Sequence, residues 1–416
     1  MKGAIDVGVV GCGFAGAATG LLLARAGHTV TIYERVPQPM AIGAGILLQP
    51  TGLAVLARLG LVDEVHERGA PVSSLNCRAA NGRTLFDIHY EQIAPGVHGL
   101  GIHRGALFEA LLAAVKGAGV RISTGVEIVA VDRTGARPRV HDANGPLAPH
   151  DLLVVADGAR SHLRDCSPAL CGARPYRWGA LWFVGADPER RFGTTLSQVC
   201  LGTRRILGFL PTGLGPRGGA VPLVSMFWSL RMDRIDEWRC AGLAPWKGEI
   251  LTLEPRADAL LEQIHDADQI LTARYVDGVM HRFSDGCVAF VGDAAHATSP
   301  QLGQGTNLAL VDAAILANAL AADDDIVGAL ARYSLARREH VDFYQLASRW
   351  LTPLFQSDLD WLGALRDRLF PLLLGLPSVR TQMLRTLAGG RRGLFLRDLD
   401  TKLLGAAPYG PLPPGQ

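Results

Sequence analysis

GVVGCGFAGAATGLLLARAGHTVTIYER, Gly8–Arg35, admits three readings: a cofactor-binding turn, the apolar core of a signal peptide, or a buried strand and helix with no ligand. Ala4–Val10 is apolar and valine-rich, as a buried parallel strand should be. Gly11, Gly13 and Gly16 follow in G-x-G-x-x-G spacing, then a helix of small residues ending near Gly27, then a second strand, Thr29–Tyr33, ending at Glu34. In such a turn the first glycine permits the tight bend and the second lets a pyrophosphate approach the backbone. The third lets helix and strand pack closely, with the diphosphate at the positive end of the helix. Glu34 stands 18 residues beyond Gly16, placed to accept hydrogen bonds from ribose hydroxyls. A carboxylate there repels a 2′-phosphate and disfavours NADP at this turn. The spacing alone does not separate FAD from NAD.

Working outward, Val7–Ala24 is an uncharged run behind Met1-Lys2, but Asp6 precedes it and four glycines punctuate its first half, against a signal peptide. No other stretch reads as a transmembrane span of ~20 apolar residues. At 416 residues, 48% hydrophobic and 19% charged, the chain is long enough for two or three domains and fits a folded protein. Net charge is only +2, with four lysines and scattered arginines, so no basic stripe for nucleic acid is present. The seven cysteines show neither CxxC nor zinc spacing. Cys12, Cys166 and Cys171 are expected to be buried free thiols, and a reducing cytoplasm is the expected location.

Two further segments repeat the strand-end chemistry. DLLVVA, Asp151–Ala156, is a buried strand running into Asp157-Gly-Ala-Arg-Ser-His-Leu-Arg164. Cys287–Gly292 is another, leading into GDAAHATSPQLGQGTN, Gly292–Asn307. Both put Gly and Asp at the carboxyl end of a parallel strand, where open α/β sheets bind ligands. One Asp-Gly is an ordinary turn; two beside a glycine-rich turn point to one shared site.

GCGFAG with Glu34, D-G-x-x-S-x-x-R (Asp157, Gly158, Ser161, Arg164) and G-D-A-A-H-x-x-x-P-x-x-G-x-G-x-N (Gly292 to Asn307) together resemble the single-component flavoprotein aromatic hydroxylases, the group A monooxygenases typified by p-hydroxybenzoate hydroxylase. The motifs cover residues 1 to about 345 in the family's order. The resemblance implies an α/β fold: a Rossmann-type FAD-binding domain with an inserted, mostly antiparallel β substrate domain and C-terminal helices. It implies FAD contacts at Gly11, Gly13, Ala15, Gly16, Glu34 and Arg35, and at Arg104, which precedes the helical stretch GALFEALL. It adds Asp157, Asp293, Pro300, Gly303, Gly305, Thr306 and Asn307, with Arg160 and Arg164 as further phosphate contacts. Pro300, Gly303 and Gly305 would shape the flavin face. A helix starting near Gly305 would aim its amides at the N1/C2 edge, and Asn307 would hydrogen-bond it. His296 reads as a packed histidine of the motif's turn rather than a proton shuttle.

The segments between the motifs have another texture. Ser73–Tyr90 reads as a hairpin about Asn81-Gly82. WGALWFVGA, RILGFLP and AVPLVSMFWSL read as antiparallel strands, with a helical piece near Pro255–Ala267. The expected domains are 1–72, 101–175 and 281–345 for FAD, 73–100 and 176–280 for substrate, and 346–416 for C-terminal helices and a proline-rich tail. Alternation puts Trp178, Ala180 and Trp182 on one strand face and Phe183 on the other, without assigning which covers the flavin. Trp182, Phe209 and Phe227 are the expected substrate contacts. A helix over Val327–Trp350 and amphipathic helices after it complete the reading.

The function the resemblance implies is NAD(P)H- and O2-dependent insertion of one oxygen into an aromatic or polycyclic small molecule, through a flavin C4a-hydroperoxide. FAD is bound and NADH or NADPH visits transiently, the protein acting as monomer or homodimer. No acid–base dyad is required, because the cofactor carries the chemistry. Epoxidation or Baeyer–Villiger oxidation by the same cofactor, or a non-catalytic flavin-binding role, remain open on sequence.

Overall fold

The computed structural model describes residues 3–40, 43–135, 137–393 and 397–405; the proline-rich tail lies outside the described residues. Strand Asp6–Val10 is the centre of a six-stranded sheet, with Thr29–Glu34 and then Arg121–Thr124 on one side and Leu152–Val155, Val288–Phe290 and Ser284–Asp285 on the other. All its neighbouring pairs are parallel except the last, which is an antiparallel edge. The valines and leucines of the inner strands are buried because helices cover the sheet, as an all-apolar parallel strand requires.

Helix Phe14–Arg25 packs against helix Gly305–Ala322, and that against Ile326–Phe355. Gly305–Ala322 is, after all, apolar and long enough to cross a bilayer, but 72% of it is buried in the fold. Ala309, Ala313, Ala314 and Ala317 let it lie close to its neighbours, and it reads as a core helix.

A seven-stranded sheet forms the second layer, in the order Leu271–Met280, Leu170–Ala186, Pro222–Arg231, Arg205–Leu214, Thr195–Leu201, Ser74–Ala79 and Thr84–His89. It is antiparallel except where Ser74–Ala79 joins Thr195–Leu201. The hairpin turns at Gly82 with φ +85°. Gly45–Leu48, Gly99–His103 and Ala70–Val72 make a small antiparallel sheet that couples the layers. Its Gly45 N–H donates to Ser225 Oγ at 2.8 Å. A Cβ at Gly101 would sit 1.9 Å from the Pro211 carbonyl oxygen, so only glycine allows this approach.

Several boundaries fall elsewhere than the sequence suggests. Residue 175 lies inside the strand Leu170–Ala186 of the seven-stranded sheet, and residue 345 lies inside the helix Ile326–Phe355. The helical piece of the substrate layer begins earlier, at Ile235. A meander, Ala130–Asp132, Arg139–Asp142 and Gly145–Pro149, decorates the first layer. All seven cysteines are free; Cys12 is buried, but Cys166 and Cys171 are exposed, since the loop and strand start that carry them lie at the surface.

Candidate functional site

The glycine-rich turn connects Val10 to Phe14 at the carboxyl end of the central strand. Gly11 has φ +97°, and a Cβ there would meet the Ala156 carbonyl oxygen at 2.5 Å. A Cβ at Gly16 would fall 1.9 Å from the Gly11 carbonyl oxygen, so this glycine lets the helix close on the strand. Gly13 differs: nothing lies within 4 Å of its missing Cβ, and it is exposed. The open side of the turn therefore sits at the start of Phe14–Arg25, where free amides and the helix dipole favour an anion. Glu34 is held beside it, accepting from Cys12 N–H at 2.8 Å and Val36 N–H at 2.9 Å. Burial, and secondarily Glu34, pushes the Cys12 thiol up to about 12, so it stays neutral under the turn.

The other two motifs arrive at the same edge. Gly292 takes φ +61°, and a Cβ on it would meet the Ala15 methyl at 2.8 Å. Ala15 thus packs the first motif onto the third. Asp293, next in chain, is exposed and has no hydrogen-bond or ion-pair partner among the described residues. Asp157 is half-buried; its Oδ1 is buried without a partner among the described residues, and burial raises its pKa. The Arg104 guanidinium stacks 5.2 Å from the Phe14 ring centroid and meets no carboxylate among the described residues. Pro300, Gly303, Arg35 and Arg160 are exposed, and Gly305 and Thr306 half-exposed at the start of the long helix. An unpaired arginine, two carboxylates with unused oxygens and an open glycine turn at a helix N-terminus fit a bound dinucleotide.

Three expected contacts are otherwise engaged. Asn307 is fully buried; its Oδ1 accepts from Gln49 N–H at 2.8 Å while its amide donates to the Leu47 and Gly303 carbonyls. With every donor used inside the protein it fastens the Gly45–Leu48 strand to the long helix and has no amide hydrogen left for a ligand. Arg164 is buried, donating to Asp165 and to the Ala159 carbonyl, and so is not a phosphate contact. It fills the space beside Gly278, where a Cβ would lie 2.9 Å from its Nη1. Phe209 is buried on the far face, its ring 4.4 Å from that of Phe192, in a core with Trp246 and Ile250. The two-residue strand period explains this: Gly208 and Leu210 are the inward neighbours.

The inward face of the second layer is settled by Gly45 bonding Ser225. Phe227 shares that face, pairs across strands with Trp182, and lies 5.0 Å from it between ring centroids. A Cβ at Gly208 would come within 2.0 Å of the Phe227 ring, so Gly208 is the hollow in which that ring lies. Both rings remain half-exposed. Tyr275, which sequence reasoning passed over, joins them: Trp182 Nε1–H donates to its hydroxyl at 3.3 Å. Its place on an inward position of the edge strand was readable from alternation, but its pairing with Trp182 was not.

His296 stands apart from these rings, beside Phe283. It is buried, and its Nε2 donates to Asp312 at 2.6 Å. Asp312 also accepts from Arg337 and from Gly292 N–H, and Arg337 contacts His340, whose Nε2 donates to the Gly389 carbonyl. Burial opposes charge on Asp312, yet His296 and Arg337 outweigh it and hold the carboxyl at about 2. Burial, with Arg337 beside it, pushes the His340 imidazole well below its ordinary range.

Fold and site fit a flavoprotein, with the three motifs gathered at one edge of a parallel sheet beside an antiparallel layer. The family model described as FAD binding domain matches residues 4–341, and the chain belongs to that family, the FAD-dependent aromatic monooxygenases that use NAD(P)H and O2. The chain is similar to a 2-heptyl-3-hydroxy-4(1H)-quinolone synthase of Mycobacteroides abscessus, at 31% identity over 82% of this chain and 88% of that one. It is similar to a 6-hydroxynicotinate 3-monooxygenase of Bordetella bronchiseptica, at 28% identity over 76% and 82%. Among solved structures, Klebsiella pneumoniae HpxO complexed with FAD and uric acid shares the fold, with TM-score 0.76 and 20% identity over 92% of this chain and 97% of that one.

Proposed function

We propose that this monooxygenase hydroxylates a neutral, planar, fused N-heteroaromatic of the 4-quinolone kind. The observation that carries the reading is the Trp182–Phe227 platform, half-exposed on the sheet face turned toward the FAD-binding edge. The inward positions next to it, Ala180 and Val184, Gln198, Gly208 and Leu210, Ser225, Ala273 and Tyr275, bear no cationic side chain, and Arg231, further along the same face, is already paired with Asp233 and Asp358. Flat aromatic surface favours stacking, while a carboxylate buried there would lack a counter-ion. The quinolone synthase at 31% identity supports the ring system, as does an aurachin C monooxygenase/isomerase of Stigmatella aurantiaca at 26%.

FAD, when bound, supplies reduction by NAD(P)H and the activation of O2. Gly13 and the Phe14–Arg25 helix start would hold its pyrophosphate, with Arg104 adding charge; Glu34 would hold a ribose, and Asp293 a further hydroxyl. The Gly305–Ala322 helix start would favour negative charge at the ring edge. The antiparallel layer orients the substrate and keeps water from it. Seven free thiols support a cytoplasmic setting, and we place the protein there as a monomer or homodimer. The test is incubation of FAD-loaded protein with NAD(P)H, O2 and a panel of quinolones and benzoates. One-oxygen products from the quinolones support the reading; turnover of benzoates alone overturns it.

A further inference from the structure

We propose that His66 and His98 form a site for a divalent transition-metal ion of the zinc kind, which clips the helix Val62–Arg68 to the strand Gly99–His103. The site stands apart from the oxygenation chemistry and does not depend on it.

The two histidines are 32 positions apart, too far for any local spacing to pair them, and meet only in the fold. His66 follows the fully buried Val65 on its helix, and His98 directly precedes the strand that couples the two layers. An ion pair between Arg68 and Glu109, at 2.6 Å, ties that helix to the one following the strand, so both rings stand on fixed backbone. Each ring turns its Nδ1 to a backbone carbonyl at 2.9 Å, His66 to Val62 and His98 to Gly96. A carbonyl oxygen only accepts, so both Nδ1 atoms carry the hydrogen, and each neutral ring is left with a bare lone pair on Nε2. An Nδ1–H held by a carbonyl is also how metal-binding histidines are fixed in tautomer and orientation.

The two Nε2 atoms face each other at 3.3 Å, with ring centres 5.5 Å apart. Lone pairs so placed repel unless a cation lies between them. A separation of 3.3 Å is long for a shared proton, whose hydrogen bond would draw the nitrogens closer. It matches the edge of a tetrahedron around an ion with metal–nitrogen bonds of about 2.0–2.1 Å, which is about 3.3–3.4 Å. Among the described residues no group of three or more His, Cys, Asp or Glu side chains is assembled for a metal, so water would fill the other positions. Imidazole ligands suit Zn2+, Ni2+ and Cu2+, whereas Mg2+ and Ca2+ take oxygen.

The test titrates FAD-loaded wild type, His66→Gln and His98→Gln with zinc chloride in competition with a chromophoric chelator. Wild type should bind one equivalent that either substitution weakens by about tenfold or more, with FAD content unchanged in all three. Zinc should also raise the melting temperature of wild type but not of the variants, because an ion held only by the folded chain stabilises it. Magnesium chloride should do neither. Equal zinc uptake by the three proteins would put the metal elsewhere and overturn the inference, as would a wild type that takes up none. Loss of the site in one variant while the other binds as wild type does would overturn the pairing.

Discussion

Asp293 and Asn307 lie 14 positions apart in one motif and do opposite work. Asp293 is exposed with its charge unanswered, whereas Asn307 is buried with every hydrogen bond made. Asp293→Ala should therefore weaken FAD binding by about 10- to 100-fold, the range for a hydrogen bond to a charged group, and leave the apoprotein's melting temperature unchanged. Flavin titration and thermal unfolding check both halves. Asn307→Ala should lower stability by about 2–3 kcal/mol, because Gln49 N–H and two carbonyls lose a buried partner. Denaturant unfolding measures it. The sequence made these residues stand out together through one motif; only the strand Gly45–Leu48, distant in the chain, tells which of them is structural.

At the scale of elements, the long helix Gly305–Ala322 is held to the motif turn and to Ile326–Phe355 by the buried chain of His296, Asp312, Arg337 and His340. Asp312 is depressed in the fold from 3.8 to about 2, so its stabilisation is complete above pH ~4 and is lost as pH falls toward 2. At ~1.36 kcal/mol per unit that is on the order of 2 kcal/mol. His340 is depressed too: the fold holds it neutral, and stability falls as pH drops below the ordinary 6.5 and the unfolded chain takes the proton. The melting temperature should thus decline below pH ~6.5 and again below ~4, and His340→Gln should shrink the first decline, to which His28 and His103, also lowered by burial, contribute, while leaving the second unchanged. A flat profile from pH 7 to 5 in wild type would contradict it. Gly208→Ala tests the antiparallel layer: its methyl would collide with Phe227, so stability should drop by about 1–3 kcal/mol and affinity for an aromatic ligand should fall with it. Thermal unfolding and ligand titration read the two effects.

Strand and helix periodicity located the elements on both sides of each motif, and the two-residue alternation grouped Trp182 with Ala180 against Phe183. It could not say which face meets the flavin, because that depends on Gly45 bonding Ser225, 180 positions away. The same ignorance put Phe209 beside the substrate; its true neighbours, Trp246 and Ile250, come from one helix, Leu243–Leu253, whose docking no local pattern encodes. Arg164 and Asn307 misled for a related reason: a motif conveys which residues gather at a site, not which are consumed in building it.

For the whole molecule, the fold brings the strand ends at Val10, Val155 and Phe290 to one edge of a parallel sheet and lays the antiparallel layer over it. Unused charge on Arg104 and Asp293 and the buried lone oxygen of Asp157 all belong to that edge. The most direct measurement is the flavin content of the purified full-length protein, released by heat and identified by chromatography. The account predicts FAD in amounts equal to the chain, recoverable by adding FAD to apoprotein and reduced on adding NADH or NADPH. A colourless protein that fails to take up FAD at saturating concentration would contradict it.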